Sequence, residues 1–370
     1  MKNVCIVQDE LLPGGKTKVI FKVVEILNKH NIIPDFYCYD NISQKEIFNI
    51  AGKNIKFNLK KILDFGIKRF TLYKSCLLLP LVKNKIRKYD IIFNSTHWLN
   101  KDFCQYNLIN YIYYLYPLEY TEQDSCKIPF HRKLYLQPLR WINKDTSTEN
   151  NSTYGMTIAI SQFTKKKIEE LFYPLKNKVK VIYPPVDIKS FLNRGNNRLK
   201  QVVSIGNFEP QKDQLSQIEI ASAFSDLKFI ITGFVSTKIR SDYYKKCDEY
   251  INNHKIKNVE LRANLSAQDI KALLQQSEYF IHTRENEHFG ISTVEAIASG
   301  CIPLVHNSGG QVEIVPYDDL RFNSTEEAIN KLENIVNTNT NSRRKELQNY
   351  IQNFSEERFE EQLNELIGLF

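Results

Sequence analysis

The chain has 370 residues, of which 42% are hydrophobic and 25% charged, as in an ordinary globular protein, and this length favours two domains over one. No apolar run approaches the roughly 18 residues of a membrane-spanning helix, and the apolar stretch after Met1 is too brief for a signal peptide, so we expect a cytoplasmic protein. The seven cysteines never form a C-x-x-C pair, which argues against both a zinc site and a disulfide framework.

The first half of the chain alternates predicted strands and helices. Short apolar runs predict six strands, and helical periodicity is clearest at Thr17–Asn28 and Phe163–Leu171. Strands separated by helices indicate βαβ units and a parallel sheet covered on both faces. The six predicted strands are Val4–Val7, Asp35–Cys38, Asp90–Phe93, Leu108–Tyr113, Thr157–Ile160 and Val179–Ile182.

The net charge of +8 is concentrated in one segment. Residues 51–100 hold eleven basic residues against two acidic ones, with aromatic and leucine residues between the bases. A basic amphipathic segment suits peripheral contact with an anionic membrane, although a solvated face on a helical pair explains the same pattern. No nucleic-acid-binding motif accompanies the charge, so nucleic acid is not an expected partner.

A hinge is predicted in the middle of the chain. Pro184-Pro185 continues neither a helix nor a central strand, and the polar stretch 193–197 is typical of a linker. We therefore predict an N-terminal α/β domain at residues 1–192 and a C-terminal one at 198–353. Two α/β sheets on either side of a hinge would direct the carboxyl ends of their strands into one cleft, where such folds bind ligands.

The second half repeats the alternation. Its predicted strands are Val202–Ile205, Lys228–Thr232, Val259–Leu261, Tyr279–His282 and Ile302–Val305. Its predicted helices are Leu215–Ala223, Tyr243–Asn252, Ala267–Gln275, Thr293–Ala298, Thr325–Val336, Arg344–Ile351 and Glu356–Ile367.

The segment 287–300 carries the most informative chemistry. It follows a predicted strand, and the turn Phe289-Gly290-Ile291 would place backbone amides at a helix N-terminus, where negative charge is favoured. Glu287 and Glu295 lie eight residues apart, about two helical turns. Both carboxylates can then face one pocket, and Glu295 could accept hydrogen bonds from a ribose diol.

Three other strand-end loops suit an anionic ligand. Lys212 could neutralise a diphosphate leaving group, and Ser308-Gly309-Gly310 forms a second glycine-bearing turn. Gly14-Gly15, between the first strand and a helix, could let backbone approach a phosphate or substrate, but a plain tight turn explains it equally well. The Glu287 turn, the Lys212 loop and the Ser308-Gly309-Gly310 loop together are what a nucleotide diphosphate ligand requires.

The stretch Glu287-x7-Glu295 with Phe289-Gly290 resembles the E-x7-E signature of retaining GT-B glycosyltransferases of family 4, also called glycosyl transferases group 1. The likeness extends over nearly the whole chain. Gly14-Gly15 resembles the family's N-terminal glycine loop, and Phe354–Phe359 resembles its last helix, which returns to the first domain. Asn286–Ile291 and His306–Gly310 are similar to the corresponding stretches of members that use GDP-mannose.

The resemblance implies an α/β fold of GT-B type, two Rossmann-like domains facing across a cleft, with residues 354–370 returning to the N-terminal domain. It implies that Glu287 and the backbone of Phe289, Gly290 and Ile291 contact the donor hexose. Lys212 and the loop Ser308-Gly309-Gly310 would hold the phosphates, and Glu295 the ribose. Such enzymes retain anomeric configuration and need no metal or other cofactor, and the chain contains no Asp-x-Asp. The expected partners are a nucleotide sugar and a glycan or lipid-linked acceptor.

The chain departs from the family pattern at two positions. Many members carry an arginine five residues before the phosphate lysine, where this chain has Asn207. Many also carry a histidine at the end of an N-terminal strand, whereas the matching segment around Leu115 has none. His97, at the end of the preceding strand, is our candidate replacement, although a histidine beside Trp98 also suits packing.

Three functions remain open from the sequence. The leading hypothesis is a hexosyltransferase, with mannose from GDP-mannose as the expected donor group. A non-hydrolysing sugar-nucleotide epimerase shares the two-domain architecture, and a sugar-nucleotide-binding protein without turnover would accommodate the departures near Leu115 and at Asn207. A nicotinamide dehydrogenase is disfavoured, because no G-x-G-x-x-G follows a predicted strand.

Overall fold

A computed structural model of the chain describes residues 2–11, 14–62, 71–96, 98–99, 107–113, 134–139, 154–192 and 198–368. It divides into two compact units, one formed by Met1–Pro184 with Phe359–Phe370 and the other by Pro185–Arg358. The division falls within the Pro184-Pro185 pair that predicted the hinge, whereas the predicted linker 193–197 lies outside the described residues.

The described part of the first unit contains a parallel sheet of seven strands in the order β3-β2-β1-β4-β5-β6-β7. Six of them were predicted to within two residues at each end. The additional strand, β3, lies at the edge of the sheet, and three of its four side chains are exposed. The strands are β1 Val4–Val7, β2 Asp35–Cys38, β3 Asn58–Lys61, β4 Ile91–Asn94, β5 Leu108–Ile112, β6 Met156–Ala159 and β7 Lys180–Val181.

The principal helices of the first unit are α1 Gly15–Lys29, α2 Gln44–Ala51, α3 Thr71–Ile86 and α4 Gln162–Leu171. Helix α1 is buried along the face that carries Ile20, Val23 and Leu27. Helix α2 begins with a capping box, since Ser43 and Glu46 each bond the other's backbone amide. Helix α3 forms part of the sequence's basic segment and packs Leu78, Leu79 and Val82 into the core.

The second unit contains a six-stranded parallel sheet in the order β10-β9-β8-β11-β12-β13. Its core includes Val203, Ile230 and Phe280 from three neighbouring strands, with Leu274 and Cys301 packed against them. The strands are β8 Leu199–Ile205, β9 Lys228–Gly233, β10 Val259–Ala263, β11 Ser277–His282, β12 Ile302–His306 and β13 Arg321–Phe322.

Helices cover the second sheet and lead back to the first unit. They are α5 Ile188–Phe191, α6 Gln214–Ser222, α7 Lys238–Asn253, α8 Ala267–Gln276, α9 Ile291–Ala298, α10 Gln311–Ile314, α11 Thr325–Val336, α12 Asn341–Tyr350 and α13 Glu356–Ile367. Helix α13 begins in the second unit, and its residues from Phe359 belong to the first. There the Phe359 ring packs edge-on against Tyr111, and Glu360 pairs with Lys29 at 2.6 Å.

Both sheets have the strand order of a Rossmann fold, in which the first strand lies between the second and the fourth. The order reverses between β1 and β4 in the first sheet and between β8 and β11 in the second. In such sheets ligands bind beyond the carboxyl ends of the strands at the point of reversal. The fold therefore places a candidate ligand site after β8 and β11.

Among the described residues, none of the helices combines the length and the apolar character that a membrane span requires. The described cysteines are Cys5, Cys38, Cys76, Cys247 and Cys301, and all five are buried and unpaired. Burial raises the pKa of the Cys301 thiol to about 12. These thiols are core residues rather than reactive ones.

Candidate active site

The candidate site of the second unit is formed by the loops that follow β8 and β11. The first loop, residues 206–213, ends in a 3-10 turn at Pro210–Lys212. The second, residues 283–290, leads into helix α9. Lys212 from the first loop and Glu287 from the second form an ion pair between Nζ and Oε2. The structure thus joins two predicted site residues that lie 75 residues apart in sequence.

Thr283 fixes the lysine loop to the end of β11. Its hydroxyl lies 3.0 Å from the carbonyl oxygens of both Lys212 and Asp213, and the Gln217 side-chain amide donates to it at 2.9 Å. The lysine stem passes 3.5 Å from the position that a Cβ atom on Gly206 would occupy. These contacts fix the backbone of Lys212 and the path of its stem, and Glu287 pairs with its ammonium group.

Glu287 is buried among positive and polar groups. Arg284 Nη1 and His282 Nε2 each lie 3.5 Å from its Oε2 atom, and the His288 amide donates to Oε1 at 3.2 Å. Burial alone would raise the pKa of this carboxyl, but the charges of Lys212 and Arg284 hold it well below its usual range. Glu287 is an anion at neutral pH.

His282, the last residue of β11, is fully buried beside this ion pair. Burial, with the nearby charge of Lys212, lowers the pKa of its imidazole to about 3. The ring is therefore neutral at neutral pH, and its Nδ1 atom has no hydrogen-bond partner among the described residues. His282 contributes polarity beside Glu287 but no charge.

The turn Phe289-Gly290-Ile291 has the backbone geometry that its sequence predicted. Gly290 has a φ of 114° and precedes the first residue of α9, and a Cβ atom there would lie 2.9 Å from the Gln311 side chain. The Phe289 ring is buried and packs edge-on against Phe354. The first amides of α9 have no carbonyl partner within the helix, as at any helix start.

The loop Ser308-Gly309-Gly310 packs directly against the Glu287 turn. A Cβ atom on Gly309 would lie 2.3 Å from the Glu287 carbonyl oxygen, and one on Gly310 would lie 2.4 Å from that of His288. The Gly310 amide donates to the Glu287 carbonyl at 2.6 Å, and Ser308 Oγ accepts from the Asn286 amide at 2.7 Å. The glycines allow this close approach, so the loop supports the backbone of Glu287. This structural role does not depend on whether the loop also binds a phosphate.

Glu295 and Asn207 complete the candidate residues of the second unit. Glu295 lies in the middle of α9, partly buried. Asn207 follows β8, and its carbonyl accepts from the Gln214 side chain at 2.8 Å. Their contacts with a donor remain predictions, as do those of Ser308, Gly309 and Gly310.

The remaining candidates lie in the first unit. Gly14 has extended backbone before α1, and a Cβ atom on it would meet nothing within 4 Å; Gly15 is the first residue of the helix. His97 lies outside the described residues, but both of its neighbours are held by Asn94. The Asn94 Nδ2 atom donates to the Trp98 carbonyl at 3.0 Å, and Thr96 Oγ1 donates to Asn94 Oδ1 at 2.7 Å.

Sequence reasoning missed Arg284, Thr283 and Gln311. Arg284 lies beside Glu287, Thr283 donates to the Lys212 carbonyl, and Gln311 accepts a hydrogen bond from Thr293 in α9. Arg284 could have been noticed, because it follows a predicted strand by two residues and precedes Glu287 by three. Thr283 and Gln311 act through tertiary contacts that leave no pattern in the sequence.

Sequence comparison supports the likeness that these residues suggested. Residues 187–355, nearly all of the second unit, match the family model described as Glycosyl transferases group 1. The chain is 33% identical over 162 residues to "GDP-Man:Man(3)GlcNAc(2)-PP-Dol alpha-1,2-mannosyltransferase" of Xenopus laevis, a match covering 39% of this chain and 32% of the relative. The human protein of that name is 30% identical over 151 residues, covering 36% and 30%. The matched segment is about a third of the length of these relatives.

Comparison with solved structures supports the fold over the whole chain. A glycosyltransferase from Rickettsia africae has a TM-score of 0.68 and 18% identity, covering 99% of this chain and 97% of the other. Anabaena HepE, solved in complex with UDP and glucose, has a TM-score of 0.73 and 16% identity, with full coverage of both chains. Together with the two Rossmann-type sheets, these likenesses show the predicted GT-B fold.

Proposed function

We propose, from the match of the second unit to the family model of glycosyl transferases group 1, that the protein is a retaining hexosyltransferase. It moves a hexose from a nucleotide diphosphate sugar to a hydroxyl of a lipid-linked or other glycan acceptor. The observation that carries the proposal is the pair of Lys212 and Glu287 at the reversal point of a Rossmann-type sheet.

The chemistry of this pair fits transfer from a nucleotide sugar. A leaving diphosphate develops negative charge, which the ammonium of Lys212 stabilises. Glu287 is ionised and accepts hydrogen bonds from donor-sugar hydroxyls, and the backbone of Phe289, Gly290 and Ile291 contacts the same hexose. In our proposal the acceptor attacks from the face of the departing phosphate, which takes the acceptor's proton, so that the anomeric configuration is retained.

Mannose from GDP-mannose is the donor that we propose. The support is the printed name of the relatives from Xenopus laevis and human, which specifies GDP-Man and a dolichol-linked acceptor. Glu295 would hold the ribose. No metal is required in this proposal, because cations of the protein itself oppose the diphosphate charge.

One face of α3 suits contact with the membrane that would hold a lipid-linked acceptor. Leu77 and Leu81 are 51% and 49% exposed, and four residues' spacing puts them on one side of the helix. Lys85, Arg87 and Lys88 are exposed at its C-terminal end. We propose that this face lies peripherally on an anionic membrane, on its cytoplasmic side, with which the unpaired cysteines are compatible.

The experiment is a transfer assay with labelled GDP-mannose, UDP-glucose and UDP-N-acetylglucosamine against lipid-linked oligosaccharide acceptors. We expect label to enter the acceptor from GDP-mannose with an α linkage. An epimerase would instead release an altered sugar nucleotide without any acceptor, and a binding protein would leave every donor unchanged. Either of these results would overturn the proposal.

A further inference from the structure

Asn286, the residue directly before Glu287, has a left-handed backbone. Its φ is 50°, a conformation that asparagine tolerates better than most residues but that glycine alone adopts freely. Such a conformation costs free energy and persists where neighbouring groups hold it. The Asn286 amide donates to Ser308 Oγ at 2.7 Å. The turn that carries the Glu287 carboxylate therefore depends on how this serine hydroxyl is held.

His306, the last residue of β12, holds the serine hydroxyl. Its Nδ1 atom lies 2.8 Å from Ser308 Oγ. The imidazole packs edge-on against the Phe322 ring of β13, with 5.5 Å between the ring centroids, and the His306 side chain is only 12% exposed. The Asn307 amide also donates to the Phe322 carbonyl at 2.7 Å. The histidine ring is thus fixed to the sheet, and Ser308 Oγ lies between this ring and the Asn286 amide.

The direction of the hydrogen bond between His306 and Ser308 follows from the charge state of the ring. Burial lowers the pKa of the His306 imidazole, so the ring is neutral at neutral pH, with one nitrogen that donates and one that accepts. The Nε2 atom lies 3.7 Å from the exposed carboxylate of Glu285, where this group or water can accept from an N–H. Nδ1 is then the acceptor, and the Ser308 hydroxyl donates to it.

We propose that His306 is a positioning residue, which holds Asn286 in its left-handed conformation through the Ser308 hydroxyl. A hydroxyl that donates to one fixed group and accepts from another has a single orientation, whereas a hydroxyl without a fixed acceptor can rotate. Glu287 follows Asn286 directly, so the same contacts determine where its carboxylate lies. The inference rests on the proposed function, in which this carboxylate contacts the donor hexose.

Asparagine and leucine form a matched pair of replacements for His306, because they have nearly the same shape and differ in hydrogen bonding. The amide oxygen of asparagine can take the place of Nδ1 and accept from Ser308, whereas leucine accepts nothing. We expect His306→Asn to transfer hexose at nearly the wild-type rate. We expect His306→Leu to lose roughly 2- to 10-fold in kcat, as for one hydrogen bond. His254→Leu removes an exposed histidine and is the control.

The variant Asn286→Gly tests whether His306 acts through the backbone of Asn286. Glycine adopts a left-handed φ without strain, so the turn should depend less on the histidine ring. We therefore expect His306→Leu to reduce kcat by a smaller factor in the Asn286→Gly protein than in the wild type. An equal reduction in both proteins would overturn the inference. Equal rates for His306→Asn and His306→Leu would overturn it as well.

NMR of isotope-labelled histidine nitrogens tests the hydrogen bond without a transfer assay. The signals that are absent from His306→Asn identify the ring, and at neutral pH we expect its Nε2 atom to carry the proton and its Nδ1 atom to carry none. A proton on Nδ1 would overturn the inference even in a protein that transfers hexose. If Nδ1 is unprotonated and the wild type transfers hexose from no donor, the proposed function fails while the contact between His306 and Ser308 stands.

Discussion

At the scale of single residues, the site depends on a charged carboxylate that is kept ionised by its neighbours. Glu287 is buried, yet Lys212 and Arg284 lower the pKa of its carboxyl well below the usual range. Lysine and glutamate could both be picked out from the sequence, because each follows a predicted strand. Their mutual contact could not, since it depends on how the two loops are held by Thr283 and Gly310.

We predict that Glu287→Gln lowers transfer by at least about 100-fold, the usual effect of losing a group that stabilises charge in the transition state. Diphosphate affinity should be preserved or increased, because Lys212 is no longer paired with the Glu287 carboxylate. Initial rates and titrations with GDP measure the two effects. Glu285→Gln is the matched control, since the Glu285 side chain is 68% exposed. If Glu287→Gln transferred the sugar at the wild-type rate, Glu287 would have no part in the mechanism.

His282 predicts a pH dependence of stability. The pKa of its imidazole is about 3 in the folded protein and about 6.5 in an unfolded chain. Above pH 6.5 the ring is neutral in both the folded and the unfolded state, so it does not change the free energy of unfolding. Below this pH the unfolded state gains a proton that the folded state refuses, so stability falls by up to about 1.4 kcal/mol per pH unit down to about pH 3.

The variant His282→Gln should lose this component, so its free energy of unfolding should fall less steeply than that of the wild type between pH 6.5 and 4. Urea unfolding across this range measures it, and His254→Gln removes an exposed histidine as a control. Identical slopes for wild type and His282→Gln would contradict the environment described for this ring.

At the scale of elements, the sequence predicted the second unit well because its strands are continuous apolar runs bounded by polar turns. Strands β8 to β12 and the long helices between them were all identified, within a few residues at their ends. Strand β3 and helix α2 were missed. The side chains of β3 are polar and largely exposed because it is an edge strand, and α2 is short, with Ile47 as its one buried residue.

The three consecutive leucines of α3 show another limit of sequence patterns. Leu78 and Leu79 enter the core of the first unit, as expected for a helix whose leucines are structural, whereas Leu77 is half-exposed. The structural interpretation is therefore confirmed for Leu78 and Leu79, whereas membrane contact of the basic segment stays a prediction. Composition cannot distinguish them, because the three residues differ only in the direction in which they leave the helix.

We predict that Gly309→Ala disrupts the Glu287 turn. Gly309 has a φ of 68°, and a Cβ atom there would lie 2.3 Å from the Glu287 carbonyl oxygen. The variant should unfold more easily by roughly 1–3 kcal/mol, the usual cost of strained backbone, and transfer should fall with it. Thermal unfolding and initial rates measure these effects.

Gly14→Ala is the matched control for the stability measurement, since nothing lies within 4 Å of its added Cβ atom. It should keep the wild-type stability. A loss of transfer in this stable variant would support the predicted approach of a ligand to Gly14. If Gly309→Ala were as stable and as active as wild type, the loop 308–310 would not support Glu287 as described.

At the scale of the whole molecule, the exposed apolar face of α3 predicts membrane association. Leu77→Ser with Leu81→Ser should reduce co-sedimentation with vesicles that contain anionic phospholipid, because it removes two apolar side chains from a basic surface. Ile239→Ser is the control, as Ile239 is 67% exposed in the second unit. Equal binding by both variants, or no dependence on anionic lipid, would contradict this part of the account.

The most direct test of the central claim is binding of nucleotides to the wild type and to Lys212→Ala. A panel of GDP, UDP, ADP and GMP is compared by thermal shift, where a ligand at 100 times its Kd stabilises the fold by about 2.7 kcal/mol. We predict that GDP stabilises the wild type more than GMP, and that Lys212→Ala weakens GDP by about 1.5–3 kcal/mol. If no nucleoside diphosphate shifts the wild type, or if Lys212→Ala responds as the wild type does, the account of a donor site around Lys212 and Glu287 is wrong.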